Sequence, residues 1–116
     1  MRCVTITYEY EGDDMVWVAN CEAFINAVGN DPGAAGFSYQ VAVADDGITR
    51  VHWGRWNSDA VLRHVQAQEY FKTFDAKLRQ MADGPLTTIT GEMRDHTDDW
   101  HARAPDAAYP DPSLPE

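Results

Sequence analysis

Apolar and polar residues alternate from the start of the chain. Val4, Ile6, Tyr8 and Tyr10 share one face and Cys3, Thr5, Thr7 and Glu9 the other, which predicts a strand closed by Gly12 and Asp13. The period then changes. From Asp13 to Val28 the apolar residues Trp17, Cys21, Phe24 and Val28 recur at helical steps, one stripe of an amphipathic helix, with Gly29 and Asn30 placed to cap it and Pro32 to prevent continuation. Phe37, Tyr39, Val41 and Val43 alternate with Ser38, Gln40, Ala42 and Ala44 as a second strand, and Asp46-Gly47 signals a hairpin into a third, Ile48 to Trp56. There Val51, Trp53 and Arg55 alternate with Arg50, His52 and Gly54. Ser58 is placed to cap a following helix, and Asp59 adds negative charge in its first turn, where the helix dipole favours it. That helix is interrupted, then resumes as the stripe Phe71, Phe74, Leu78 and Met81 until Gly84-Pro85 stops it. Leu86 to Met93, rich in Thr and Ile, reads as the last strand.

The resulting order, βαββαβ, predicts an α+β, ferredoxin-like fold with a four-stranded antiparallel sheet and both helical segments on one face. The other face carries Thr5, Thr7, Ser38, Gln40, Ala42 and Ala44, uncharged and mostly small. It is neither the Lys/Glu-rich surface of a freely solvated sheet nor a dry core. We read it as the inner wall of a semi-polar cavity closed by a second subunit. Residues 1–94 form this domain. Residues 95–116 read as an acidic, Pro-rich C-terminal tail, holding four of the six prolines in its last dozen residues and unable to build a core of its own. Within it Trp100 and Tyr109 are of the type that anchors a polar segment to a neighbouring surface.

Charge narrows the partners. Nineteen acidic against nine basic side chains give a net charge of −10, which repels nucleic-acid phosphates and anionic lipid, so nucleic acid and membrane are set aside. The first residues alternate like a strand instead of forming the apolar run of a signal peptide. Cys3 and Cys21 form no C-x-x-C motif, and free thiols in a reducing cytoplasm are the expectation.

The pattern Trp56-x-Ser58-x-Ala60-x-x-x-His64-x-x-x-x-x-Tyr70-Phe71-x-x-Phe74 resembles the antibiotic-biosynthesis-monooxygenase-like group of the dimeric α+β barrel superfamily. Members of that group commonly carry a strand-terminal Trp, a Ser cap, a helical His and an aromatic second half-helix. More loosely, the resemblance extends from about Cys3 to Met93. It implies a homodimer with sheets face to face. It also implies one of several activities, since the group includes quinol oxidases and haem degraders. In the haem-degrading relatives the position after the helical His is usually Trp and a further His follows, where this sequence has Val65 and Asp75. Without an axial ligand, haem is not expected, and no other cofactor is called for.

The candidate chemistry rests on six residues. Indole and imidazole beside small polar groups can orient a flat aromatic ligand, which singles out Trp56 and His52. His52 and Trp53 lie on opposite faces of their strand, and the alternation with Arg50 and Gly54 favours His52 as the cavity residue. The plainer role of the tryptophans is to fill space between sheet and helix. His64 is of the type that exchanges a proton with a bound phenol, or that packs between helices. Related cofactor-independent oxygenases use Asn, Trp, Tyr and Arg in the pocket, and Asn57, Trp56, Tyr70 and Arg50 supply those types here. In the tail, Asp95, His96, Asp98, Asp99 and His101 are metal-ligand types without a zinc or calcium spacing, so no metal is expected. Two readings follow. One is a cofactor-independent monooxygenase acting on a small aromatic phenol or quinol, with His52 or His64 as proton acceptor. The other is a non-catalytic ligand-binding or assembly module on the same fold, since fold alone does not carry function.

Overall fold

In the computed structural model, which describes residues 1–97, four strands and three α-helices follow one another as β1 (Arg2–Glu9), α1 (Asp14–Gly29), β2 (Phe37–Val43), β3 (Thr49–Trp56), α2 (Asp59–Ala67), α3 (Glu69–Met81) and β4 (Thr87–Glu92). The tail cluster from Asp98 onward, with Trp100, His101 and Tyr109, lies outside the described residues. All strand pairs are antiparallel, in the order β2-β3-β1-β4. This is the ferredoxin-like α+β arrangement, with the second helix of the expected pattern broken in two.

Local chemistry sets the boundaries. Asp13 caps α1 by accepting from the backbone N–H groups of Met15 and Val16, and Ser58 caps α2 by accepting from Val61. Gln68, in an extended conformation, ends α2 and begins α3; its side-chain amide donates to the His64 carbonyl at 2.9 Å, satisfying a group that the end of a helix leaves unpaired. In the β2–β3 loop Gly47 adopts φ +74°, and the Asp46 carboxylate accepts from the N–H groups of Ile48 and Thr49 and from the Thr49 hydroxyl. A short 3-10 turn, Pro32–Ala34, between α1 and β2 was not legible in the periodicity; Asp31 caps it through the Gly33 N–H.

The register decides which side chains meet the helices. Ile6 lies opposite His52 and His52 opposite Val41; Val4 lies opposite Gly54 and Gly54 opposite Tyr39. Those residues share a face with Tyr8, Arg50 and Trp56, and against it pack Trp17, Cys21 and Phe24 of α1 and Phe74 and Leu78 of α3. Trp53 pairs with Thr5 and Gln40 and so faces away from the helices. His52 therefore lies on the helix-covered face, not on the outer sheet face where its alternation had placed it. Face assignment follows from the non-local β1–β3 register: the apolar set Val4, Ile6 and Tyr8 takes the helices, and His52 is carried with Ile6.

Candidate functional site

Between the covered face of the sheet and the broken helix lies a cavity of about 310 Å³. Its walls include Ile6, Phe24, Tyr39, Trp56, Phe71 and Phe74, with Gln66, Asp75 and Arg79 among its polar and charged members. The space exists for a local reason. The edge strand β4 lines the cavity with Thr88 and Thr90, opposite Ile6 and Val4, whose small side chains leave a gap beneath α3. A wider groove of about 570 Å³ runs past Met15, Val16, Asn20 and Met81, but it lacks the aromatic lining that suits a planar ligand. The inner cavity is the stronger candidate.

Trp56 contributes its ring to this cavity wall. It is buried, stacks at 6.4 Å and 17° on Phe37, and its indole N–H has no acceptor among the described residues. A buried donor left unpaired costs on the order of 1–3 kcal/mol, and this one is sealed from the cavity as well as from solvent. Asn57 follows on the exposed surface, packed under Gly36; that glycine has φ +95°, and a side chain there would collide with the Asn57 amide.

The two histidines occupy different settings, and neither lines the cavity. His52 is fully buried between two tyrosines, its Nε2 at 2.7 Å from the Tyr8 hydroxyl and its Nδ1 at 2.8 Å from that of Tyr39. The Trp17 indole N–H donates to the Tyr8 oxygen at 2.7 Å. Burial pushes the His52 imidazole down to about 4, because the charged form loses its hydration, and the same cause raises Tyr8 to about 12 and Tyr39 further. His52 is thus neutral at ordinary pH. His64 and Tyr70, from α2 and α3, meet on one carboxylate oxygen: Asp31 Oδ2 is 2.8 Å from His64 Nε2 and accepts from the Tyr70 hydroxyl at 2.8 Å. Those hydrogen bonds, His64 first and Tyr70 second, hold Asp31 below the usual carboxylate range. Burial and then Asp31 raise Tyr70 to about 12. Gly33 makes room for the His64 ring, which any side chain there would strike.

Arg50 sits at the opposite end of β3 from Trp56. Its guanidinium is buried, contacts Asp14 at 2.7 Å, donates to the Tyr10 carbonyl and lies 4.7 Å from the Trp17 ring centroid. It locks the start of α1 to the sheet and does not reach the cavity. Sequence reasoning missed Asp31 and Tyr39. Tyr39 was visible as a strand aromatic, but nothing in the chain before folding connects it to His52. Cys3 and Cys21 are free thiols. Among the described residues no group of three or more His, Cys, Asp or Glu side chains is arranged to hold a metal ion, and no helix is long and apolar enough to cross a membrane.

No family model matches the chain, and no curated protein matches it. Solved structures do. Rv0793 from Mycobacterium tuberculosis superposes with a TM-score of 0.70 at 17% identity, over 84% of this chain and 98% of that one. A variant of SnoaB, a cofactor-independent oxygenase from Streptomyces nogalater, gives 0.67 at 14% identity, over 82% and 94%. An antibiotic biosynthesis monooxygenase gives 0.66 at 15%, over 80% and 98%. At these identities the likeness is one of fold: the chain shares the ferredoxin-like α+β subunit fold of these proteins.

Proposed function

We propose that the protein binds a small aromatic phenol or quinol in the inner cavity and oxidises it with molecular oxygen, as a cofactor-independent monooxygenase. The observation that carries this reading is the aromatic cavity itself, walled by Phe24, Trp56, Phe71 and Phe74 beneath the broken helix. An apolar slot of this kind takes a planar ring. The likeness in fold to SnoaB, a cofactor-independent oxygenase, is consistent with such chemistry. In that reaction the electron-rich substrate supplies the electrons; one oxygen atom enters the product and the other leaves as water. The protein's part is to orient the ring, exclude water and manage a proton.

Of the six residues singled out by sequence, we assign Trp56 to ligand contact and His52 to proton management from behind the cavity wall. His64 and Tyr70, joined through Asp31, brace the turn before β2 against α2 and α3. Asn57 and Arg50 hold the two ends of β3. The working unit on this reading is a homodimer, supported by the outer sheet face of Thr5, Thr7, Gln40, Ala42 and Trp53, which carries no formal charge at those positions. The free thiols Cys3 and Cys21 fit a cytoplasmic setting.

Oxygen uptake with a panel of dihydroxynaphthalenes and anthrones tests the reading. Uptake above the uncatalysed rate, lost in Trp56→Ala, supports it. Saturable binding without turnover favours the non-catalytic ligand-binding module on the same fold. Absence of both binding and turnover sinks it.

A further inference from the structure

The hydrogen-bond chain behind the cavity holds one hydrogen more than it can use internally. Trp17, Tyr8, His52 and Tyr39 are joined by three hydrogen bonds. With the imidazole neutral and both phenols protonated, these four groups carry four N–H or O–H hydrogens. An indole N–H only donates, so the first link runs from Trp17 to Tyr8 in every arrangement. Two arrangements remain. If His52 carries its hydrogen on Nε2, it donates to Tyr8, and Tyr39 donates to Nδ1. The Tyr8 oxygen then accepts twice, and its own hydrogen is left over in the buried core, where Tyr8 is 4% exposed. If His52 carries its hydrogen on Nδ1, Tyr8 donates to Nε2, Nδ1–H donates to Tyr39, and the spare hydrogen is that of the Tyr39 hydroxyl.

The second arrangement is the favourable one. An orphaned O–H in the core costs the desolvation of that group, whereas Tyr39 is only partly buried and lines the cavity. We infer that His52 is held as the Nδ1–H tautomer, and that Tyr39 thereby presents its hydroxyl hydrogen to a ligand oxygen in the cavity. Tyr39 is then a contact residue and His52 a positioning residue that acts through it. This deepens the reading of the cavity as a phenol or quinol site and rests on it. The preferred ligand then carries an acceptor oxygen, as a quinone carbonyl or a phenolate does.

Two measurements test this on the full-length protein. Long-range nitrogen–proton NMR on histidine-labelled protein, with His52→Gln for assignment, should find the His52 proton on Nδ1 and the tautomer unchanged between pH 8 and pH 5. A proton on Nε2 overturns the inference without any ligand being involved. The second measurement is binding of 1,4-naphthoquinone and of naphthalene to wild type, Tyr39→Phe and Tyr8→Phe. Tyr39→Phe should weaken naphthoquinone by about tenfold, the worth of one hydrogen bond, and leave naphthalene unchanged. Tyr8→Phe, which frees the imidazole to take either tautomer, should weaken naphthoquinone by a smaller factor and spare naphthalene. Equal affinity of wild type and Tyr39→Phe for naphthoquinone overturns the Tyr39 contact while the cavity reading stands. If wild type binds neither probe, the cavity reading itself falls, and the Tyr39 contact with it.

Discussion

Tyr39 crosses β3 at Gly54: a β-carbon built on Gly54 would sit 2.9 Å from Tyr39 Cδ1. The two residues are opposite each other in the β2–β3 register, so the missing side chain on one strand is the space the ring occupies on the other. That placement lets the Tyr39 hydroxyl reach His52 and lets its ring meet Phe24 edge-on at 5.0 Å. Gly54→Ala should therefore push Tyr39 off its hydrogen bond and destabilise the fold by about 1–3 kcal/mol, the usual cost of overpacking a filled core. Urea unfolding measures it. A variant as stable as wild type would mean that the ring has room to move.

His52 gives the fold an acid sensitivity with a defined sign. Its folded value is depressed to about 4 from an ordinary 6.5, so between those limits the unfolded chain binds a proton that the native protein refuses. The contribution is fully present above about pH 6.5 and is lost as pH falls towards about 4, to a total on the order of 3 kcal/mol. His52→Gln has no such titration. Its stability should fall less steeply than that of wild type across this window in parallel urea titrations, and equal slopes would show that His52 does not carry the effect.

The element order was readable because each segment announces its own period and its own punctuation. Trp17, Cys21 and Phe24 form a helical stripe, Ser58 is a cap, and Asp46-Gly47 is a turn, all within a few residues of one another in sequence. The site was less legible because its contacts are long-range. The β1–β3 register that puts His52 beside Ile6 joins residues 46 apart, and the Asp31 contacts to His64 and Tyr70 span 33 and 39 residues. Alternation distinguishes two faces of a strand but not which one the helices will cover. Arg50 shows the same limit: its type suits a pocket, while its partner Asp14 and its position at the far end of β3 make it a clamp.

Asp31 should behave as a latch whose two bonds are coupled. His64 and Tyr70 share its Oδ2, and its carboxyl is held below the usual range, so its contribution is present at neutral pH and is lost as pH falls through the folded value. Asp31→Ala should lower the Tm. In a double-mutant cycle with Tyr70→Phe, the losses should be non-additive because both variants remove the same hydrogen bond. Additive losses would show that the Tyr70–Asp31 contact is energetically idle.

Trp56 combines two properties that substitution can separate. Its ring stacks on Phe37 and is 6% exposed, so truncation to Ala should cost about 3–5 kcal/mol through lost packing and the cavity left behind. Its N–H has no acceptor among the described residues and adds nothing to the fold that a hydrogen bond would supply. Trp56→Phe keeps an aromatic ring against Phe37 while deleting that donor. The lost volume and the removed unsatisfied group then oppose each other, and the net change in stability should stay below about 1.5 kcal/mol. Affinity for a quinone or phenolate should stay unchanged, because the indole nitrogen is sealed from the cavity and gives a ligand nothing to lose. Thermal unfolding and ligand titration on the same two variants distinguish the outcomes. A loss of about tenfold in affinity in Trp56→Phe would show that a ligand does reach the indole N–H, and that Trp56 is more than a packing residue of the cavity wall.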